Sequence, residues 1–148
     1  MKQERTDSVV WNGSSYRTIL TRVASQGAMS IVDSTTPSSE GPPRHIHHAE
    51  DEIIVVLTGE IEVWIEGETT RIGPGEAGFI PRGKSHTFRV TSDTPSRHLV
   101  ILTPGGFEQF FYAMADAECV IPDDMPQIES VAAEMNLTFT GPPLSVAP

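Results

Sequence analysis

The sequence contains a single cysteine, Cys119, which excludes an intramolecular disulfide bond and fits a reducing compartment. It also lacks any apolar run of the roughly 18 residues that a membrane helix needs. Residues 1–11 are polar and contain no apolar stretch of the kind found in signal peptides. We therefore expect a soluble, cytoplasmic protein with no membrane partner.

Basic residues are scarce. The chain has 10 Lys and Arg against 20 Asp and Glu, and its formal net charge is −10. Such a charge is unfavourable for binding a phosphate backbone, so a nucleic-acid partner is not predicted. Glycine-rich phosphate loops and nucleophile elbows are missing too, which leaves nucleotide-dependent chemistry without support. The predicted partner is a small-molecule substrate.

The 148 residues suffice for one domain with a real core. Three segments are predicted: a polar, loosely held segment at 1–15, a β-barrel at 16–103, and a segment at 104–148 that packs on the barrel. The barrel is expected because short apolar runs alternate with turn signals. These runs predict strands at 16–24, 28–33, 52–58, 60–66, 77–81, 85–90 and 98–103. Helical spacing predicts helices at 107–115 and 127–136, followed by an extended tail.

Four polar residues carry the chemistry of this sequence. His45 and His47 alternate on an extended segment, so their side chains share one face and can reach the same metal ion. Glu52 follows in the next predicted strand, and His86 lies in a later one. Three imidazoles and one carboxylate suit a divalent transition metal, and Fe, Mn, Ni, Co, Cu and Zn all tolerate this set.

The spacing of these residues resembles that of the cupin superfamily. The first motif is carried by His45-Ile46-His47, then Glu52 after four residues, then Gly59 after six more. The second motif is carried by Gly75, Pro81, Gly83 and His86. Two departures are visible: Gly41 stands closer to His45 than the motif asks, and Val90 occupies the place of an asparagine that is not a metal ligand. The Pro42-Pro43 and Thr103-Pro104-Gly105-Gly106-Phe107 segments are similar to small, single-domain, quercetin-dioxygenase-like cupins.

This resemblance implies an all-β fold, the double-stranded β-helix or cupin jelly-roll barrel, with short C-terminal helices. It also implies one divalent metal ion held by His45, His47, Glu52 and His86, and a homodimer. Trp64 supports the dimer, because it lies on the polar face of its strand and aromatic residues are enriched at interfaces. A partly covered surface tryptophan is the alternative.

Strand alternation also predicts the walls of a substrate pocket. Ile54 and Val56 are expected on the same face of their strand as Glu52, and Phe88 and Val90 on the same face as His86. His98 has the parity of Val100 and Leu102 and either lines the cavity, where it could serve as a base, or is an ordinary satisfied or exposed histidine.

The neighbours of these residues are given lesser roles. His48 is expected to point away from the metal, at the surface or behind the ligands. Glu50 and Asp51 are expected in solvent, with a hydrogen bond to a ligand histidine as the alternative. Arg82 and Lys84 are expected in a solvated loop, although a positive cavity mouth is possible. The aromatic residues of 107–115 are expected to pack a helix on the barrel without a substrate role.

Three functions remain open. The first is a metal-dependent dioxygenase acting on a small enolic or phenolic substrate, with Glu52 as a labile ligand that accepts the substrate proton. The second is a non-redox isomerase, lyase or cyclase in which the metal is a Lewis acid. The third is a small-molecule binding module without turnover.

Overall fold

The computed structural model describes residues 4–145, which form eleven strands and two helices. In chain order these are β1 (Ser8–Trp11), β2 (Ser14–Leu20), β3 (Ser30–Thr36), β4 (Arg44–His47), β5 (Asp51–Thr58), β6 (Ile61–Ile65), β7 (Glu68–Ile72), β8 (Ala77–Ile80), β9 (His86–Val90), β10 (Ser96–Thr103), α1 (Glu108–Asp116), α2 (Met125–Glu134) and β11 (Leu137–Gly141). This confirms the predicted all-β barrel with short C-terminal helices. Neither helix is long and apolar enough to cross a bilayer.

The strands form two antiparallel sheets. The six-stranded sheet has the order β1-β2-β3-β10-β5-β8, and the five-stranded sheet has the order β11-β4-β9-β6-β7. Sequence neighbours such as β4 and β5 lie in different sheets, as expected for a jelly roll. The connection between those two strands therefore brings residues from both sheets to one place.

Two apolar clusters form the core. One includes Trp11, Leu102 and Phe110 and packs the helices against the six-stranded sheet. The other is built from β-branched side chains of both sheets: Ile54, Val56, Ile61, Val63, Ile72, Ile80 and Val90. Inward and outward residues alternate clearly along β6, where Ile61 and Val63 are buried and Glu62 and Trp64 are half-buried, as the sequence predicts.

Four strands lie outside the seven predicted ones. β4 was expected only as an extended segment, and the other three, β1, β7 and β11, each lie at the edge of a sheet. β1 falls within the segment at 1–15, so the expectation that this whole segment is loosely held is wrong. β7 buries only Ile72, and β11 buries only Leu137, so neither shows a clear alternation of apolar and polar residues. Edge strands pair on one side only, and their sequence pattern is correspondingly weak.

The C-terminal segment does more than pack on the barrel. Its last strand, β11, pairs antiparallel with β4, and Phe139 stands opposite His45 in the register. The segment at 104–148 therefore completes the five-stranded sheet beside the two histidines of β4. The predicted boundary at 103 would place β4 and β11 in separate segments, although the two strands pair in one sheet.

Two glycines of the motifs are explained by close approaches. A Cβ atom on Gly41 would run into the carbonyl oxygen of Phe88 on β9. Gly59 has a φ of 76°, and a Cβ atom there would lie 2.7 Å from the carbonyl oxygen of Pro95. Glycine is required at both positions because any side chain would push the neighbouring backbone away.

Trp64 is covered by a neighbouring cation. The guanidinium of Arg44 lies 4.8 Å from the centroid of the indole, a cation–π contact. This contact accounts for a half-buried tryptophan on a polar strand face within one chain. The homodimer stays a prediction.

Candidate metal centre

The fold brings together the four residues whose spacing suggested a metal site. His45 and His47 lie on β4, His86 opens β9 and Glu52 lies on β5 of the other sheet. One ligand atom of each lies within 4.8 Å of the others. We call these four residues the His–Glu cluster. His45 and His86 are direct register partners, which explains how residues 41 positions apart in the chain meet.

Short contacts within the cluster show which atoms face its centre. The Nε2 atom of His86 lies 2.9 Å from Oε2 of Glu52, and the Nε2 atom of His47 lies 3.6 Å from the same oxygen. The rings of His45 and His86 are 4.3 Å apart at their centroids. Glu52, His47 and His86 are all buried. The Nε2 atoms of two imidazoles thus converge on one carboxylate oxygen.

The opposite nitrogen of each imidazole faces an oxygen atom outside the cluster. Nδ1 of His45 is 2.7 Å from the carbonyl oxygen of Pro43, and Nδ1 of His86 is 2.9 Å from that of Lys84. Nδ1 of His47 lies 3.5 Å from Oε1 of Glu50. A proton held on Nδ1 leaves Nε2 as the lone-pair donor, which is the tautomer a metal ligand needs.

Electrostatics favour a cation at this place. Burial raises the pKa of Glu52, but the hydrogen bond from His86 and the charges of the histidines outweigh it and lower that pKa to about 2. Burial, followed by the proximity of His86 and His47, holds the pKa of His45 well below its usual value. The cluster therefore offers a permanent anion and an imidazole that resists protonation, both of which suit a divalent metal ion. The donor set fits such an ion.

A largely apolar cavity adjoins the cluster. Its empty volume is about 860 Å³ when the open space at its mouth is included. All four cluster residues lie in its wall. The remaining wall includes seven aromatic side chains from the N-terminal strands, β9, the α1 region and β11: Trp11, Tyr16, Phe88, Phe107, Phe110, Phe111 and Phe139. Polar residues line it as well: Asn12, Ser14, Ser34, Thr36, Glu40 and His98.

The residues of the predicted pocket lie in two different environments. Phe88 and His98 line the cavity, but Ile54, Val56 and Val90 do not. These three belong to the second apolar cluster, in which Ile61, Val63, Ile72 and Ile80 close around them. They lie on the same face of their strands as the cluster residues, yet that part of the barrel is filled with side chains. Alternation along a strand predicts which face of the sheet a residue lies on, and only the packing decides whether that face borders a cavity.

The sequence analysis missed the contribution of the α1 region. Phe107 packs edge-to-face on the ring of His47, with 4.4 Å between the centroids. Phe111 stacks on Tyr16 at 4.2 Å, with the rings nearly parallel. These aromatics pack a helix on the barrel, as predicted, and Phe107, Phe110 and Phe111 also line the cavity. Their apolar helical spacing is the same for a core helix and for a cavity wall, so the sequence could not separate the two.

Other residues near the motifs fall into distinct environments. His48 is exposed, and its Nε2 is 2.9 Å from the hydroxyl of Thr138, as expected for a residue that points away from the cluster. Asp51 accepts hydrogen bonds from the backbone and guanidinium of Arg82. Lys84 is half-exposed beside Glu66. Neither Arg82 nor Lys84 lines the cavity, so the solvated-loop interpretation holds.

His98 is the most isolated polar group of the cavity wall. It is fully buried, and its Nε2 atom has no hydrogen-bond partner among residues 4–145. Nδ1 lies 3.3 Å from the hydroxyl of Ser96, and the ring meets Phe88 edge-to-face. Burial lowers the pKa of His98 to about 4, so the imidazole is neutral at physiological pH.

These pKa values predict how acid affects the metal-free protein. His45 and His98 have lower pKa values in the folded protein than an unfolded histidine has. Their contribution to the free energy of unfolding is therefore fully present above about pH 6.5 and is lost as the pH falls towards their folded-state pKa values. His86 acts oppositely, because its contact with Glu52 outweighs burial and raises its pKa. We expect the free energy of unfolding, measured with urea, to fall between pH 7 and pH 5, and to fall less in a His98→Leu variant. An equal fall in both proteins would contradict the assignment of a depressed pKa to His98.

Comparisons with known proteins agree with this fold and site. A family model described as a cupin domain matches residues 32–102, which contain the whole His–Glu cluster. The solved structure of KdgF from Halomonas sp. superposes with a TM-score of 0.62 at 22% identity, covering 70% of this chain and 92% of that protein. Residues 32–102 of the protein therefore form a cupin domain.

Two curated relatives share a name. Quercetin 2,3-dioxygenase of Bacillus subtilis is 26% identical over 101 residues, which are 68% of this chain and 30% of the relative. Quercetin 2,3-dioxygenase of Aspergillus japonicus is 29% identical over 104 residues, which are 66% of this chain and 29% of the relative. The chain thus spans about three tenths of the length of these two relatives.

Proposed function

We propose that this protein binds one divalent transition-metal ion in the His–Glu cluster and acts as a dioxygenase on a small enolic or phenolic substrate. The observation that carries the proposal is the position of the cluster, whose four residues form part of the wall of a largely apolar cavity. The likeness to two quercetin 2,3-dioxygenases over about two thirds of the chain supports the same reaction class.

Each part of the site has a role in this proposal. A divalent metal ion bound there would acidify a hydroxyl group of the substrate and, if redox-active, provide a site for dioxygen chemistry. Glu52 is the carboxylate of the cluster and lines the cavity, so it is the group placed to accept the proton of the enol or phenol. The aromatic wall binds the rings of the substrate and excludes water from the reacting carbon atoms.

The test begins with the metal. Protein purified without chelator or affinity nickel is analysed for its elements, then stripped and reloaded with Fe(II), Mn(II), Ni(II), Co(II), Cu(II) or Zn(II). Each form is assayed for oxygen uptake with quercetin, catechol and acetylacetone. We expect one equivalent of metal and oxygen uptake by a redox-active form. Turnover of a substrate by the zinc form without oxygen would replace the dioxygenase with an isomerase, lyase or cyclase, and binding without turnover would leave a binding module.

Glu50 is expected to tune the affinity of the site through His47. The carboxylate of Glu50 is buried. Neither its Oε1 atom nor Nδ1 of His47 has a hydrogen-bond partner among the described residues, and these two atoms lie 3.5 Å apart. A carboxylate behind a ligand imidazole fixes its tautomer and increases its basicity. We predict that Glu50→Gln lowers the Co(II) affinity by about 10- to 100-fold and shifts the visible Co(II) spectrum.

The matched control for Glu50 is its neighbour Asp51. Asp51→Asn removes a carboxylate that pairs with Arg82 and does not face the cluster histidines. We expect its Co(II) affinity and spectrum to match those of the unmodified protein. Equal losses in the two variants would show that net charge, and not the contact with His47, sets the affinity.

A further inference from the structure

We propose that His98 recognises a second hydroxyl group of the substrate, at the end of the cavity away from the His–Glu cluster. The preferred substrate is then an extended aromatic molecule that carries a chelating enol or phenol at one end and a hydrogen-bonding hydroxyl at the other. This inference rests on the proposed function, since it takes the first end of the substrate to lie at the metal.

The first support is the position of His98 along the barrel. On β10, Leu102 is the register partner of Glu52, and His98 stands four residues before Leu102 on the same face. At about 3.3 Å per residue, the two levels are about 13 Å apart along the strand. Leu102, Val100 and His98 all line the cavity. The wall between the cluster and His98 therefore matches the length of a molecule with more than one ring.

The second support is the unpaired nitrogen. A buried polar atom without a partner carries an energetic penalty, and the large majority of buried polar atoms in folded proteins are hydrogen-bonded. Nε2 of His98 has no partner among residues 4–145, although the ring is completely buried. A ligand group that pairs with this atom removes the penalty, which gives the ligand affinity that an apolar analogue lacks.

The third support concerns the kind of group that fits. The neutral imidazole presents either a donor or an acceptor at Nε2, depending on the state of Nδ1 beside Ser96. A hydroxyl group can accept a hydrogen bond from a protonated Nε2 or donate one to an unprotonated Nε2, so it pairs with either tautomer of His98. Ser34, the register partner of His98 on β3, also lines the cavity and adds a second hydroxyl to this polar patch.

Aromatic side chains lie beside His98 and in other parts of the cavity wall. Phe88 meets the ring of His98 at 5.0 Å between centroids, and Phe107, Phe110 and Phe111 form another part of the cavity wall. Rings of a substrate pack favourably against such side chains. A polar group at any other point of these aromatic surfaces would lose its water without gaining a hydrogen bond.

The experiment compares two probes that differ in one hydroxyl. The probes are 3-hydroxyflavone and 3,4′-dihydroxyflavone, which share the chelating 3-hydroxy-4-ketone. Their dissociation constants are measured by fluorescence titration with the zinc-loaded protein, which holds the probes without oxidising them. We expect the dihydroxy probe to bind about 5- to 20-fold more tightly, as one additional hydrogen bond implies.

Variants of His98 test whether the preference for the dihydroxy probe depends on this residue. His98→Leu and His98→Phe both remove the nitrogen, and either one, once shown to bind zinc normally, should bind the two probes equally. His98→Gln, which keeps a donor and an acceptor, should retain part of the preference. His48→Gln alters an exposed histidine outside the cavity and should retain all of it.

The outcomes separate this inference from the proposed function. Equal affinities of the unmodified protein for the two probes, whether tight, weak or undetectable, would overturn the role of His98, as would a preference that survives in His98→Leu. Neither result depends on oxygen uptake. Conversely, a His98-dependent preference in a protein that never consumes oxygen would retain the binding role and reject the dioxygenase.

Discussion

A His47→Ala substitution is expected to abolish tight metal binding. His47 contributes one of four donor atoms, and its Nε2 faces the oxygen of Glu52 at 3.6 Å. Loss of a direct ligand should exceed the ~10- to 100-fold penalty known for outer partners, so we expect the affinity to fall about a thousandfold or more. The measurement is zinc affinity by competition with a chromophoric chelator, combined with elemental analysis of the purified variant.

The neighbouring histidine provides the control for this prediction. His48 follows directly in the sequence, but it is exposed and hydrogen-bonded to Thr138. His48→Ala should therefore retain metal with unchanged affinity. A thermal measurement gives a second readout, because a ligand that binds only the folded state raises Tm, and a tighter ligand raises it more. Zinc should raise Tm of the unmodified protein and of His48→Ala, and leave that of His47→Ala unchanged. If both variants lose the metal equally, the assignment of β4 to the site is wrong.

Glu52→Gln is expected to have the largest effect on turnover. Glutamine has nearly the shape of glutamate but carries no charge and accepts a proton poorly. Removal of a positioned proton acceptor typically costs about 10²- to 10⁴-fold in rate, and we expect a decrease in kcat of this size in a metal-saturated variant. Oxygen uptake with quercetin, measured at metal concentrations well above Kd, checks the prediction.

Glu52 is also a ligand, so the two effects must be separated. The loss of the anion that contacts His86 at 2.9 Å should weaken metal binding as well. Full loading therefore has to be verified by elemental analysis in the assay itself. Asp51→Asn again serves as the control, because it removes a neighbouring carboxylate that lies outside the cluster. A fully loaded Glu52→Gln protein that turns over at the normal rate would exclude Glu52 as the proton acceptor.

The central strands and the ligand set could be predicted from the sequence. The apolar run of β5 and the alternation of β6 are strong patterns because both strands lie within the barrel and bury a regular face. The His-x-His spacing on β4 could be interpreted because alternation is a local property of an extended chain. In each case the information lies within about ten residues of sequence.

The cavity could not be predicted in the same way. Ile54 and Phe88 both carry the parity of a cluster residue, yet Ile54 is enclosed in the apolar core and Phe88 borders the cavity. Glu50 is equally instructive, because a carboxylate in the short connection from β4 to β5 would ordinarily lie in solvent. It is buried here beside His47.

The sequence by itself determined the all-β class, through short-range periodicity. It also indicated the four residues of the cluster, through the alternation of His45 and His47 and the resemblance of two motifs to those of cupins. The tertiary structure alone decided that β11 completes the sheet beside β4, that Phe107 and Phe111 enter the cavity wall, and that Nε2 of His98 is left without a partner. These features depend on contacts between residues far apart in the chain. Such contacts depend on how side chains from distant parts of the chain pack together, and a local sequence pattern does not specify that packing.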